Sequence, residues 1–172
     1  MRPGFRIGMT VVVVLASACS KAPPPAANAG VEAAKATGEQ LTALVWNQGK
    51  VERLGEFYAE DVVRHVPERP APIVGLAANQ AYIRDLRAAF PDTRVETVRM
   101  IGEGDWLAVH WVWTGTQTGD LPGLAATGRP VRLEGVSLVR LANGRAVEIW
   151  DFDDQFGMLQ QLGVIPAPPA AT

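Results

Sequence analysis

Apolar residues recur at helical spacing in the first half of this chain. Three helices are predicted, over Val31 to Asn47, Val51 to Tyr58 and Gly75 to Phe90, because each stretch carries an apolar stripe every three or four residues. Between the second and the third, the short apolar run from Asp61 to Val66 predicts a strand. The prolines from Pro67 to Pro72 then break regular structure and predict a loop with room to line a pocket mouth.

From Thr93 onward, the pattern becomes one of strands, in which apolar and polar residues alternate. Four strands are predicted: Thr93 to Ile101, Trp106 to Thr118, Val131 to Leu141 and Arg145 to Phe152. Turn signals at Gly102 to Asp105 and at Asn143-Gly144 predict hairpins, and Phe156 to Leu162 predicts a short closing helix. Helices followed by an antiparallel meander predict the α+β class: a curved antiparallel sheet forming a cone, with helices packed across its open side. Such a cone encloses a cavity for a small ligand.

The strand that begins at Val147 places a carboxylate on an apolar face. Val147, Ile149 and Asp151 point the same way along an extended backbone, so Asp151 lies on a buried face where the strand ends. A carboxylate there costs free energy unless it is paired, hydrogen-bonded or protonated. Asp151 is therefore a candidate catalytic or ligand-binding residue, and a structural role stays open. Asp153 and Asp154 are weaker candidates, and Asp154, which precedes the closing helix, is interpreted first as its N-cap.

Charge and composition exclude several classes of protein. The 172 residues include 16 Lys and Arg and 18 Asp and Glu, which is enough chain for one domain with a core. The sequence has no basic run and no basic–aromatic interleaving, so no nucleic-acid partner is expected. It also has no GxSxG motif, no phosphate-binding loop and no zinc-ligand spacing, so no competing catalytic signature is present.

The first residues are typical of an export signal. Arg2 and Arg6 precede a short apolar run, and small residues then lead to Cys19, the only cysteine in the chain. The segment resembles a bacterial lipobox, although Ala16 stands where that motif usually has Leu. Lipidation at Cys19 and attachment to a bacterial membrane, on the periplasmic side or at the cell surface, are therefore expected. An ordinary signal peptide cut nearby is the alternative.

The expected organisation follows from these segments. Residues 1–18 are predicted to be a signal peptide, and residues 19–30, rich in Pro and Ala, a tether that begins at the lipidated cysteine. Residues 31–165 form the predicted α+β domain, and residues 166–172 a flexible tail. The protein is thus expected to contact a membrane only through the lipid on Cys19.

A series of short motifs occurs in a characteristic order along the domain. They are Phe90-Pro91-Asp92, Gly104-Asp105-Trp106, Trp113 to Gly119, Thr127 to Val131, Asn143 to Asp151, Asp154, and Gln161-Leu162-Gly163. In this order and spacing they resemble the SnoaL-like polyketide cyclases and ester cyclases, within the nuclear transport factor two-like superfamily. The resemblance covers about residues 41–163.

The resemblance implies a cone that is often a homodimer through the outer face of its sheet, with no metal and no organic cofactor. It also implies that a cavity Asp acts as general acid and base for an intramolecular aldol closure, and Asp151 is the matching position. His65 falls on the family's frequent Asp-Val-Val-x-His segment and is the second catalytic candidate. Gln117 stands where the family often has a His, so the chain lacks a titratable group there.

The remaining candidates are ligand-binding side chains. His110 lies in a strand and could line the cavity or a dimer interface. Trp46, Trp113 and Tyr82 are aromatic and would shape an apolar pocket for a flat or hydrophobic molecule. A small hydrophobic ligand is therefore the expected partner.

Two functions follow from these observations. One is a cofactor-free cyclase or isomerase that uses Asp151 with help from His65. The other is a non-catalytic, lipid-anchored module that binds a ligand or a protein partner. The export signal favours the second, because polyketide cyclisation normally takes place in the cytoplasm.

Overall fold

The computed structural model describes residues 26–166 of the chain. Its elements in chain order are α1 (Ala26–Leu41), a π-helical turn (Thr42–Asn47), a 3-10 turn (Val51–Glu56), β1 (Tyr58–His65), β2 (Ile73–Val74), α2 (Leu76–Ala89), β3 (Arg94–Glu103), β4 (Trp106–Thr116), β5 (Pro130–Ala142), β6 (Arg145–Asp153) and α3 (Gln155–Gln161). The predicted signal peptide, Cys19 and residues 167–172 lie outside this range. No helix between residues 26 and 166 is both long and apolar enough to cross a membrane.

The strands form one six-stranded sheet in the order β2-β1-β6-β5-β4-β3. The four strands from β3 to β6 make the antiparallel meander that the alternating pattern predicts. β1, in contrast, lies parallel to β6, with Arg64 opposite Ile149 and His65 opposite Trp150. The α+β class is confirmed, and the expectation of a wholly antiparallel sheet is wrong at this one pairing. No turn connects β1 to β6 directly, so no local signal sets their relative direction.

The first two predicted helices differ from the observed ones. α1 begins at Ala26, within the stretch predicted to be a tether, and its last turn widens into the π-helical turn. Asn47, at the end of that turn, pairs with the edge strand β3: its amide donates to the carbonyl of Val95 at 2.9 Å and accepts from the Val95 N–H at 2.7 Å. The second predicted helix is only a 3-10 turn, and Tyr58 already belongs to β1.

The helices cover one face of the sheet. α1 packs on β3 and β4, α2 on β1, and α3 on β5. Asp154 caps α3 as predicted, because its carboxylate accepts a hydrogen bond from the Gly157 N–H at 2.8 Å. Two clusters of buried side chains result, and their members include Leu54, Phe57, Tyr58 and Ile83 in one and Phe90, Trp113, Leu133 and Leu162 in the other.

A bulge in β6 changes which residues face the helices. Arg140 pairs with Glu148 and Leu141 with Ala146, so Val147 is an extra residue in the ladder. Alternation alone predicts that Val147 is buried on the inner face, but in the structure Ala146 is the buried residue. Ile149 and Asp151 keep the inward orientation that was predicted, since both line the space between sheet and helices.

Candidate functional site

The inner face of the sheet and the helices enclose a cavity of about 830 Å³. This volume suits a drug-sized ligand, and most of the lining side chains are apolar. Polar groups are concentrated at the end formed by β1, β6 and the loop before β2. They include Tyr58, Arg64, Glu68, Arg69, Tyr82, Ser137, Asp151 and Asp153.

Asp151 is buried in the cavity wall, and both of its oxygens have partners. Arg64 Nε donates to Oδ2 at 2.7 Å, and the Ser137 hydroxyl donates to Oδ1 at 2.6 Å. The Arg64 and Asp151 side chains are only 8% and 5% exposed, so the pair is shielded from bulk water. The cost of placing a carboxylate on an apolar face is thus offset by a cation and a hydroxyl.

Arg64 reaches Asp151 because of strand alternation and register. Val62, Arg64 and Val66 are all buried on the inner side of β1, next to β6. The guanidinium carbon lies 5.4 Å from the ring centroids of both Trp46 and Tyr82, which is cation–π distance. Burial acts to lower the pKa of Arg64, but the Asp151 carboxylate outweighs it together with the nearby tyrosines, and the pKa lies above its ordinary value.

Ser137 links Asp151 to an indole. Ser137 lies directly opposite Asp151 in the β5–β6 ladder, and the Trp111 Nε1–H donates to its hydroxyl at 2.9 Å. The hydroxyl can accept that bond and donate its own proton to the carboxylate at the same time. Trp111, Ser137 and Asp151 therefore form a directed hydrogen-bond chain along the cavity wall.

Two tyrosines border the ion pair. Burial raises the pKa values of both Tyr58 and Tyr82, although Arg64 acts in the opposite direction on both. Tyr58 OH lies 3.4 Å from Arg64 Nη1, and Tyr82 OH donates to Glu68 Oε1 at 2.8 Å. Both phenols are neutral around pH 7 and add polarity without adding charge.

His65 lies on the other face of the sheet. Its ring stacks on Trp150 with the centroids 5.2 Å apart, and its Nε2 lies 3.2 Å from Glu148 Oε1. Because neighbouring residues of a strand point in opposite directions, a β1 that directs Arg64 into the cavity directs His65 out of it. The placement of His65 beside the cavity is therefore wrong, and the predicted pair of Asp151 with His65 is not formed.

His110 also lies on the outer face. Its Nε2 is 2.7 Å from Glu134 Oε1, and Arg132 contacts the same carboxylate at 3.4 Å. The hydrogen bond from His110, followed by that from Arg132, lowers the pKa of Glu134. His110 does not line the cavity, so of its two predicted locations only the outer face remains, and its participation in a dimer stays a prediction.

The aromatic candidates do line the cavity. Trp46 and Tyr82 lie on either side of Arg64, and Trp113 packs edge-on against Phe90 with the ring centroids 4.7 Å apart. Gln117 is fully buried outside the cavity. Its carbonyl oxygen accepts from the backbone and hydroxyl of Thr127 at 3.2 and 2.7 Å, so Gln117 holds the loop between β4 and β5.

The sequence did not indicate Arg64 or Ser137 as partners of Asp151, and it ranked Asp153 below Asp151 as a candidate. The alternation Val62, Arg64, Val66 was a usable signal for Arg64, because an arginine flanked by two buried valines shares their face. Asp153 follows Asp151 by two residues and so shares its direction. Within residues 26–166, no three His, Cys, Asp or Glu side chains converge in a group that could hold a metal ion.

The chain is similar to known proteins of one family. The family model for the SnoaL-like polyketide cyclases matches residues 37–162. The aklanonic acid methyl ester cyclase DauD of Streptomyces sp. (strain C5) is 28% identical over 124 residues, which is 69% of this chain and 74% of that protein. The nogalonic acid methyl ester cyclase of Streptomyces nogalater is 29% identical over 119 residues, 69% of this chain and 89% of that one.

Solved structures share the fold. IdmH from Streptomyces antibioticus superposes with a TM-score of 0.64 at 29% identity, covering 76% of this chain and 98% of that one. A protein of Jannaschia sp. CCS1 superposes with a TM-score of 0.71 at 24% identity, covering 80% and 94%. Because the family model spans most of the chain and the fold agrees, the protein belongs to the SnoaL-like polyketide cyclase family, within the nuclear transport factor two-like fold.

Proposed function

We propose that this protein is a cofactor-independent cyclase or isomerase that acts by acid/base chemistry on a small, largely apolar carbonyl compound. The observation that carries the proposal is the Asp151 carboxylate, held by Arg64 and Ser137 in the wall of a mostly apolar cavity. Family membership and the methyl ester cyclases among its relatives support the same chemistry. The relatives' names suggest the methyl ester of an organic acid as the class of substrate.

Asp151 is the proposed base. Its carboxylate, paired with Arg64, is placed to take a proton from a carbon next to a carbonyl group. The enolate that forms carries negative charge on oxygen, and the Arg64 guanidinium, which lines the same part of the cavity, is a cation that can stabilise it. The aromatic rings of Trp46 and Tyr82 give a flat molecule apolar surfaces to stack on.

Turnover of aklanonic acid methyl ester by the wild-type protein and by Asp151→Asn tests this proposal. We expect the wild type to convert the ester, and the variant to lose about 10²- to 10⁴-fold in kcat while its affinity for the ester changes little. Asp154→Asn is the matched control, because it removes a neighbouring carboxylate and keeps the cap on α3. A wild-type protein that binds the ester without converting it would instead support the non-catalytic binding module.

We also propose that the domain is exported and held at a membrane by lipid on Cys19. The support is the sequence alone: a basic start, a short apolar run and a single cysteine after small residues. Growth of the producing cells with an alkyne-labelled fatty acid should label the wild-type protein in the membrane fraction. Cys19→Ser should carry no label and leave that fraction, and a labelled Cys19→Ser protein would refute the assignment.

A further inference from the structure

Asp153 is a second carboxylic acid in the same cavity. It lies on β6 two residues after Asp151, so the two side chains point the same way and their Cα atoms are about 7 Å apart. Its neighbours in the cavity wall include Glu68 from the loop before β2 and Gln155 from the first turn of α3. Both acids therefore line the cavity in which a substrate would bind.

The surroundings of Asp153 differ from those of Asp151. Among residues 26–166, no Lys, Arg or His lies within 4 Å of the Asp153 carboxylate, whereas Arg64 contacts Asp151 directly. Asp153 Oδ1 accepts a single hydrogen bond, from the Gln155 amide at 2.6 Å. The charged groups that act on it are the carboxylates of Glu68, Asp151 and Asp154.

These surroundings favour the protonated form of Asp153. Partial burial raises its pKa, the Gln155 amide opposes this, and the three carboxylates add to the rise. The cavity thus holds two carboxylic acids in different surroundings: Asp151 is paired with a cation, and Asp153 has carboxylates as its charged neighbours. Surroundings that differ in this way move the pKa values of two acids apart, so that one can act as a base and the other as an acid.

We infer that Asp153 is the general acid of the reaction in which Asp151 is the base. The inference rests on the proposed function and assigns the second proton transfer to a residue that neither the sequence motifs nor the relatives' names indicate. His65, the partner expected from the sequence, is on the wrong face for this role.

The proton transfers balance in an aldol closure. The Asp151 carboxylate removes a proton from the carbon next to one carbonyl group, and the resulting enolate carbon bonds to a second carbonyl carbon. The π electrons of that second carbonyl move to its oxygen, which takes the proton of Asp153. Asp151 is then protonated and Asp153 ionised, and a proton exchanged through solvent restores both.

The pH dependence of turnover separates the two roles. A base must be ionised, so activity is lost as pH falls through its pKa, and an acid must be protonated, so activity is lost as pH rises through its pKa. We expect Asp153→Asn to lower kcat for aklanonic acid methyl ester by about 10²-fold or more and to abolish the basic limb of the profile. Asp61→Asn, which removes an exposed carboxylate of β1 that does not line the cavity, should keep both the rate and the basic limb.

Titration of side-chain carboxyl groups gives a second measurement that needs no substrate. In protein carrying ¹³C-labelled Asp, the resonance missing from Asp153→Asn identifies Asp153 in the wild type. Its midpoint should lie above the ordinary value of about 3.9, and it should fall in Asp151→Asn, where one repelling carboxylate is gone.

The outcomes distinguish this inference from the proposed function. If Asp153→Asn keeps the wild-type rate and basic limb while Asp151→Asn is slow, the role of Asp153 is overturned and the proposed function stands. A resonance that titrates at or below the ordinary value overturns the role of Asp153 even if the variant is slow. If the wild type does not convert the ester, the proposed function fails and the inference fails with it.

Discussion

Asp151→Asn is expected to destabilise the fold by about 3 kcal/mol, because it leaves the Arg64 guanidinium buried without its counter-charge. The expected value is at the low end for breaking a buried ion pair, since both side chains border a cavity that can admit water. The Ser137 hydroxyl could still donate to the amide oxygen of the asparagine, so the loss of stability comes mainly from the unpaired Arg64 guanidinium. Urea unfolding followed by tryptophan fluorescence measures the change in the free energy of unfolding.

The double variant Arg64→Met with Asp151→Asn is the control for this result. It removes both charges, and replacing a buried ion pair with groups of similar size is often close to neutral in stability. We expect it to be more stable than Asp151→Asn alone by about 2 kcal/mol or more. If the single and double variants unfold at the same urea concentration, the ion pair is not the source of the loss and the account of the cavity wall is wrong.

The double variant also separates catalysis from folding. A protein that is as stable as the wild type but lacks Asp151 should still fail to convert the ester, because the residue proposed as the base is missing and Asp153, which remains, is assigned the role of the acid. Loss of turnover in both variants would then reflect missing chemistry, and recovery of turnover along with stability would show that Asp151 is structural.

The sequence identified Asp151 because a single local rule sufficed. An alternating strand has two faces, Ile149 marks one of them as buried, and Asp151 shares it. The same rule applied to β1 would have identified Arg64 and placed His65 outside, but His65 was weighed by its chemistry and its position before a loop. The error at His65 came from ranking residue type above alternation.

Other features depend on contacts that local patterns do not record. The parallel pairing of β1 with β6 brings Arg64 to Asp151. These two strands are far apart in the chain, because β2, α2 and the strands β3 to β5 lie between them. The bulge at Val147 arises where β6 and β5 change register, and its sequence shows no break in alternation. The meander, by contrast, was predicted well, because its strands alternate clearly and the turns between β3 and β4 and between β5 and β6 carry their own signals.

Gly135→Ala is expected to destabilise the protein by about 3 kcal/mol and to disturb the hydrogen-bond chain at Asp151. Gly135 lies opposite Trp111 in the β4–β5 ladder, and the indole lies across it. A Cβ at this position would lie 2.5 Å from two ring carbons of Trp111 and 2.7 Å from the backbone oxygen of Phe152. Overpacking of this kind costs roughly 2 kcal/mol, and losing the indole hydrogen bond to Ser137 costs roughly 1 more.

Glycine at this position is thus what allows Trp111 to lie flat and reach Ser137, which in turn donates to Asp151. Gly30→Ala is the matched control. Gly30 lies in α1, where a Cβ atom would have no neighbouring atom within 4 Å and where alanine is a better helix former than glycine. We expect Gly30→Ala to unfold at the same or a higher urea concentration than the wild type, and Gly135→Ala at a clearly lower one with altered tryptophan fluorescence. A Gly135→Ala protein with wild-type stability and spectrum would mean that Trp111 does not occupy the space over Gly135, and the link from indole to carboxylate would have to be abandoned.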